Sequence, residues 1–479
     1  MARKDERRRY ESPLPERYAT GEMVYLWSAH RKFSTWRRLW VALAQAEMEL
    51  GLPVTREQVK ELEAHVEDVN FEEAEAEERR TRHDVMAHVH AYGKQCPKAA
   101  GIIHLGATSA YVGDNTDLIL LREGMKIIRA QVVNVIDRLA KFAEERADLA
   151  TLAFTHFQPA QPTTVGKRAC LWIQDLMMDL ADLERRIDEL RFLGAKGTTG
   201  TQASFLELFE GDAEKVERLD ARVAELMGFA ERIAVSGQTY PRKIDSQVLG
   251  VLSGIAQSAH KFANDMRLLC HLREIEEPFD AGQVGSSAMA YKRNPRRSEL
   301  ITGLSRFVMV TSLNADLTAA EQWFERTLDD SGTRRLSLPE TFLAANGMLN
   351  VFLDVVSGLV VNEAVIRRHL DAELPFMATE NIMMQAAKAG GNRQELHERI
   401  RTHAQEAAKR MKETGEPNDL LERLKNDPAF AKVDFGDALS PERYVGLSPR
   451  QTRWYLERVV APVLKRHSSV LGAKTEFRV

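Results

Sequence analysis

The residues best able to do chemistry fall in five polar stretches: TRHDVMAHVH at 81–90, HLGATS at 104–109, THFQPAQPTT at 155–164, GSSAMAYKRNP at 285–295 and FERTLDDSGTRR at 324–335. The fourth combines the Ser286 and Ser287 hydroxyls, the Lys292 and Arg293 cations and the Asn294 amide behind Gly285. A serine is a weak base at its ordinary pKa, so it needs a cationic, water-poor site that stabilises its alkoxide. Lys292 is the local candidate for that cation. In the third stretch His156 lies in a loop stiffened by Pro159 and Pro162, where Thr155, Gln158 and Gln161 could orient its ring. Histidine titrates near working pH, so this residue suits general acid or base chemistry.

The first stretch invites a metal reading, since His83, Asp84, His88 and His90 cluster there. His83 and His88 are five apart and fall on different helix faces, and no Glu follows the first His as in zincins, which argues against a metal. Asp84 and His88, at i and i+4, read as a surface pair. Arg82, Lys292, Arg326, Arg334 and Arg335 lie in separated segments that folding could gather. Arginine grips carboxylate and phosphate through paired hydrogen bonds, so these cations imply a polyanionic small molecule. A serine-hydrolase reading lacks its strand–turn–helix setting.

The elements that must position these residues are long helices. Apolar positions recur every three or four residues through Leu118, Leu121, Met125, Ile128, Val132, Val135, Leu139 and Phe142, a bundle seam. Similar runs extend from Ala169 to Leu190 and from Val248 to Leu269, the latter ended by Pro278, and two more helices follow across 297–327 and 339–361. No stretch of comparable length alternates as a strand does. The expected fold is all-α, with an elongated bundle at 113–364 between smaller helical domains at 1–112 and 365–479. Thr55 and Gln58 form a possible capping box before one of the shorter helices.

Composition fits this reading. The 479 residues are 44% hydrophobic and 28% charged, with a net charge of -4 and no large single-sign block, which excludes a nucleic-acid or membrane-binding surface. No apolar run reaches the ~18 residues of a membrane span. The three cysteines, Cys96, Cys170 and Cys270, are scattered, which suits a reducing, cytoplasmic setting. The N-terminal MARKDERRRYESP lacks the apolar segment of a secretory signal and reads as a solvated tail.

GSSAMAYKRNP resembles the signature loop of the fumarase/aspartase superfamily. RHDVMAHVH, GIIHLGATS, THFQPAQPTTVGKR, KGTTGTQASF, GQTY and ERTLDDS, in this order, resemble its adenylosuccinate lyase branch of the animal type over nearly the whole chain. The resemblance implies a long-helix bundle assembling as a homotetramer, with each active site drawn from three subunits and no metal or organic cofactor. It implies β-elimination of fumarate from adenylosuccinate, leaving AMP, and from the succinyl-carboxamide ribotide of purine synthesis. By residue, it implies Ser286 as base, with Ser287 second to it, and His156 as general acid. His83 and Lys292 would hold the succinyl carboxylates, and Arg82, Asp84, Thr108, Ser109, Gln238 and Asn294 fall among the substrate-binding positions. Arg17 with Tyr18, and Arg326, Ser331 and Arg335, match positions holding the nucleotide and its phosphate. Two departures stand out: relatives often carry proline at Ala290 and arginine at Leu300, where Arg296 and Arg297 are the neighbouring cations. The competing readings are another fumarate-releasing lyase such as argininosuccinate lyase, which ERTLDDS and RHDVMAH disfavour, and a non-catalytic helical scaffold, against which His156, Ser286 and Lys292 speak.

Overall fold

The computed structural model describes residues 10–475 apart from 281, 284, 286 and 290. Eight of its helices position the candidate residues: α1 (Ala29–Glu49), α2 (Phe71–Thr81), α3 (Asp84–Gln95), α4 (Ser109–Glu145), α5 (Val165–Glu189), α6 (Lys243–Leu272), α7 (Arg296–Ala320) and α8 (Asp330–Ser357). At 1.5 Å rise per residue α4 alone spans roughly 55 Å.

The seam read from the sequence is the one the bundle buries. Leu118, Leu121, Met125, Ile128, Val132, Val135 and Leu139 on α4 are fully enclosed, as are Val248, Leu252, Ile255, Ala259 and Met266 on α6. Helix α4 packs against α5 and α8, α5 against α6, α6 against α7, and α7 against α8, which closes the bundle. Helix α8 is buried on every face from Thr341 to Leu353, as expected of a helix with no polar side. Phe262 of α6 stacks on Phe352 of α8 at 4.2 Å and meets Trp172 of α5 edge-on at 5.1 Å, so one aromatic cluster ties three helices. Helix α7 instead leaves a stripe of Phe307, Val310, Leu313 and Leu317 exposed.

Strands are confined to antiparallel pairs of two residues each, among them Ile275–Glu276 against Val360–Val361. That pair corrects one expectation: α6 ends at Leu272, with Arg273 left-handed at φ 58°, and the chain turns into the pair before Pro278. Thr55 and Gln58 do form the capping box expected of them.

Beyond α8, Ile382, Leu396, Leu420, Leu424 and Phe430 centre a second, smaller core. The chain then returns to the bundle, where Leu456 and Val460 rejoin the main core. Asn134, about two-thirds of the way along α4, receives this segment. Its amide donates to Val470 O at 2.8 Å, and its carbonyl accepts from Gly472 N at 2.9 Å and Ala473 N at 3.0 Å.

One buried group opposes folding. Glu47 of α1 is wholly enclosed, and neither of its carboxyl oxygens has a hydrogen-bond partner among the described residues. Burial pushes its carboxyl from 4.5 to about 9. Below pH 4.5 the folded and unfolded chains both hold this proton. At higher pH the unfolded chain releases it first, so stability falls until the folded-state value is passed. Glu47→Gln, which cannot ionise, is therefore expected to gain on the wild type by ~1.4 kcal/mol per pH unit between about pH 5 and pH 9. Urea midpoints measured across that range check this, and a difference independent of pH would refute it.

Candidate active site

The junction of α2 and α3 places the first group. Helix α2 ends on Arg82, left-handed at φ 59°, whose backbone N–H donates to Glu78 O at 2.8 Å. This turn sets His83 at the N-cap of α3, where its Nδ1 accepts the Met86 N–H at 3.3 Å. The free face of the ring meets α4: His83 Nε2 lies 3.4 Å from Ser109 Oγ, beside the N-cap residue Thr108. Asp84 is held from the other side by Arg335 of α8 at 3.2 Å. His83, Asp84, Thr108, Ser109 and Arg335 thus converge from three helices.

The other histidines of this region are structural. His88 is buried, stacked on Phe33 at 3.8 Å and edge-on to Trp36, and burial pushes its imidazole down to about 4. The expected Asp84–His88 surface pair is therefore not made; helix α3 turns His88 into the apolar contact with α1 instead. His90 pairs with Glu77 at 3.0 Å. His104, left-handed at φ 69°, accepts the Trp40 indole N–H on Nδ1 at 2.9 Å, and burial, with His83 nearby, lowers it to about 4. Lys32 of α1 went unnoticed in the sequence, where it is one cation on an amphipathic helix. Burial lowers its ammonium pKa, against the attraction of Asp117 and Asp84.

A second group forms around the segment entering α8. Gln238 donates its backbone N–H to Glu325 O at 3.0 Å and its side-chain amide to Thr198 O at 2.9 Å. The approach needs glycine at 200, where φ is +80° and a Cβ would come within 1.9 Å of Ser236 O. Arg326 reaches both oxygens of Asp330 from one nitrogen, at 3.0 and 3.1 Å, and Ser331 occupies the first turn of α8.

Asp330 is also an anchor of a buried ionic network. Arg242 joins it at 2.5 Å and grips Asp114 of α4 at 2.8 and 3.2 Å. Arg334 binds Asp245 of α6 and Asp117 of α4, both at 2.7 Å, and donates to the Tyr240 hydroxyl. Burial alone would raise the Asp330 carboxyl, but Arg242 and Arg326 outweigh it and hold the group below its ordinary value. Burial prevails at Asp117, which is raised in spite of Arg334. Arg334 is consequently spent on this network and not free for a ligand, a correction to its grouping with the available cations.

The remaining candidates lie apart. Arg17 and Tyr18 close a π-helical turn over Leu14–Tyr18 that rests on Gly347, where a Cβ would meet Tyr18 Cβ at 2.8 Å. This seat is roughly 18 Å along α8 from Arg335. In the 285–295 stretch the Asn294 amide donates to Gly285 O at 2.9 Å, and a Cβ on Gly285 would lie 2.0 Å from Lys292 O, so the two ends of the loop are latched. Lys292 is exposed, and Arg293 covers the Phe279 ring at 4.9 Å. Ser286 and Ala290 lie outside the described residues. His156 stands exposed at the tip of a hairpin pairing Phe154–Thr155 with Gln158–Pro159. His156 and Phe157 both have positive φ, at 53° and 56°, the turn that a two-residue hairpin favours. Thr155, Gln158 and Gln161 do not fix the ring as expected: among the described residues no hydrogen bond or ion pair within the chain reaches His156, and Gln158 bonds to the Phe157 carbonyl instead.

The long helices thus close into one bundle with polar loops at the helix ends. Solved structures agree on that fold: 3-carboxy-cis,cis-muconate lactonizing enzyme from Pseudomonas putida, at 22% identity and TM-score 0.80, covers 96% of this chain and 100% of its own. Fumarate lyase from Mesorhizobium sp. BNC1, at 24% identity and TM-score 0.77, covers 92% and 99%. The family model described as lyase matches residues 22–310, and that of the adenylosuccinate lyase C-terminus matches 375–454. The chain belongs to the adenylosuccinate lyase family of the fumarase/aspartase superfamily. It is 53% identical to adenylosuccinate lyase of Saccharomyces cerevisiae over 97% of each chain. To that of Schizosaccharomyces pombe it is 51% identical, over 96% of this chain and 97% of the relative. To that of Schistosoma mansoni it is 46% identical, over 99% and 100%.

Arg242 holds two buried carboxylates on two helices, so removing its charge leaves Asp114 without an arginine and Asp330 with Arg326 alone. Arg242→Met is expected to cost ~3–5 kcal/mol of stability, read from chemical denaturation. A loss below ~1 kcal/mol would show the network to be dispensable.

Proposed function

We infer that the chain catalyses β-elimination of fumarate from adenylosuccinate, leaving AMP, and the equivalent cleavage of the succinyl-aminoimidazole-carboxamide ribotide in purine nucleotide biosynthesis. The observation that carries this is the agreement, over nearly the full length, with curated relatives named adenylosuccinate lyase, joined by a C-terminal match specific to that family.

In this reading Ser286 takes the proton from the carbon beside a succinyl carboxylate, and Lys292 stabilises both the serine alkoxide and the charge that builds on that carboxylate. The C–N bond then breaks as the C=C bond of fumarate forms, and His156 gives a proton to the departing nitrogen. His83, oriented through Met86 N–H and facing Ser109, holds the succinyl group with Lys292. Arg82, Asp84, Thr108, Gln238 and Asn294 line the substrate or hold the loops that do. Arg17 and Tyr18, and Arg326, Ser331 and Arg335, bind the nucleotide portion.

Among the described residues the Arg17–Tyr18 seat lies roughly 18 Å along α8 from Arg335, which supports an assembly that shares its sites. The exposed apolar stripe on α7, Phe307 through Leu317, gives such an assembly a surface to bury. The working form is a homotetramer with each site built from three subunits. The compartment is the cytoplasm, in keeping with three free cysteines. Among the described residues no helix is long and apolar enough to cross a membrane.

Adenylosuccinate should yield equimolar AMP and fumarate, with argininosuccinate inert. Absence of turnover by the assembled protein would sink this reading. His156→Ala should lower turnover by about 10²-fold or more with the assembly intact, the scale of a lost general acid.

A further inference from the structure

The hairpin that carries His156 leaves the bundle between the end of α4 and the start of α5, and it is too small to fix its own direction. Its two strands have two residues each, and among the described residues the hydrogen bonds of 154–160 stay within 153–160, from the Ala160 N–H donating to Ala153 O at 2.8 Å to the Gln158 amide on the Phe157 carbonyl. A two-stranded hairpin of that size is not stable alone, so its direction comes from its root. There Ala150 and Thr151 pair with Thr164 and Thr163, Val165 N donates to Leu149 O, and Gly166 N donates to Arg146 O, both at 2.9 Å. Residue 166 must be glycine for this approach, since a Cβ would lie 2.3 Å from Ala143 O. Beside the hairpin itself, the carbonyl of the buried Leu152 accepts from Nη2 of Arg168, in the first turn of α5, at 2.7 Å.

That bond is the single one Arg168 makes among the described residues, and its Nη1 is buried without a partner. Burial lowers its guanidinium pKa, against the attraction of Glu274 and Asp265. Glu274, just past α6, is wholly enclosed and is held by His369 Nδ1 at 2.8 Å. Taking a guanidinium out of water to bond one carbonyl costs stability, so what Arg168 contributes is position. The lever it controls is long: Leu152 to Thr155 spans roughly 10 Å of strand, so a tilt of about 6° at the root carries the His156 end through about 1 Å. A displacement of that size at a reacting group costs on the order of 10²-fold in rate.

We propose that Arg168 is a positioning residue for His156, setting the direction of its hairpin through the Leu152 carbonyl. This rests on the general-acid role proposed above for His156, so the test separates the two. The constants kcat and KM are measured with adenylosuccinate for the wild type, Arg168→Met, His156→Ala and the double variant, and hydrogen exchange over 150–164 is followed in the wild type and Arg168→Met. Arg168→Met should lower kcat roughly 10- to 100-fold with KM within about 3-fold, and should add nothing further to His156→Ala, because it acts only through that ring. Exchange over 150–164 should quicken while α4 and α6 keep their protection. An unchanged kcat, losses that multiply in the double variant, or unchanged exchange over 150–164 would each overturn the proposal; a merely structural Arg168 gives losses that multiply. If Arg168→Met fails to fold, Arg168→Lys, which keeps a charge beside Glu274 without the planar fork, goes through the same cycle under the same criteria. If the wild type does not cleave adenylosuccinate, the functional reading fails and hydrogen exchange alone decides on Arg168.

Discussion

Everything near the entry to α8 depends on a set of charges that the protein keeps out of water. Arg242 and Arg334 are set against Asp114, Asp117, Asp245 and Asp330, so that α4, α6 and α8 cannot slide past one another without separating a buried ion pair. Isolated charges in such a place would be prohibitive, and it is their mutual pairing that makes the arrangement tolerable. The benefit is one of position. Arg326 is fixed by Asp330, and Arg335, next in sequence to the buried Arg334, is directed toward Asp84 and the start of α3. Residues that face solvent are thus held in register by residues that never meet it.

The same helix that unites one group separates another. Arg335 stands near one end of α8 and the seat of Arg17 and Tyr18 lies well along it, while His156 projects on a hairpin that touches neither. A rigid bundle does not bend these positions together. Helix α7 is buried on the sides facing α6 and α8 and apolar on a third.

Much of the architecture was legible because long helices repeat their apolar positions often enough to leave a clear period. The seams of α4 and α6 are the buried rows read from the sequence. Helix α8 was harder, since a helix enclosed on all sides has no face to mark, and nothing in the text SGTRRL distinguishes the arginine that is buried from the one that is not. His88 failed for a related reason: an i, i+4 spacing to Asp84 is compatible with a solvated pair and equally with one residue turned inward onto Phe33. At the site, the polar stretches identified which residues matter to local structure, as Asn294 and Gly285 illustrate. Which stretches face each other could not be read, because that depends on helix length and on contacts between distant segments. Lys32, a cation whose environment is set by α4 and α8, carried no local signal at all.

Asn134 shows what such long-range dependence means for the order in which the fold is completed. It sits well inside the longest of these helices, yet among the described residues the carbonyl of its side chain is satisfied by Gly472 and Ala473, 338 and 339 residues further on. During synthesis α4 and its neighbours can form and pack long before those amides exist. Until the C-terminal segment exists and returns, that carbonyl has only water to bond to.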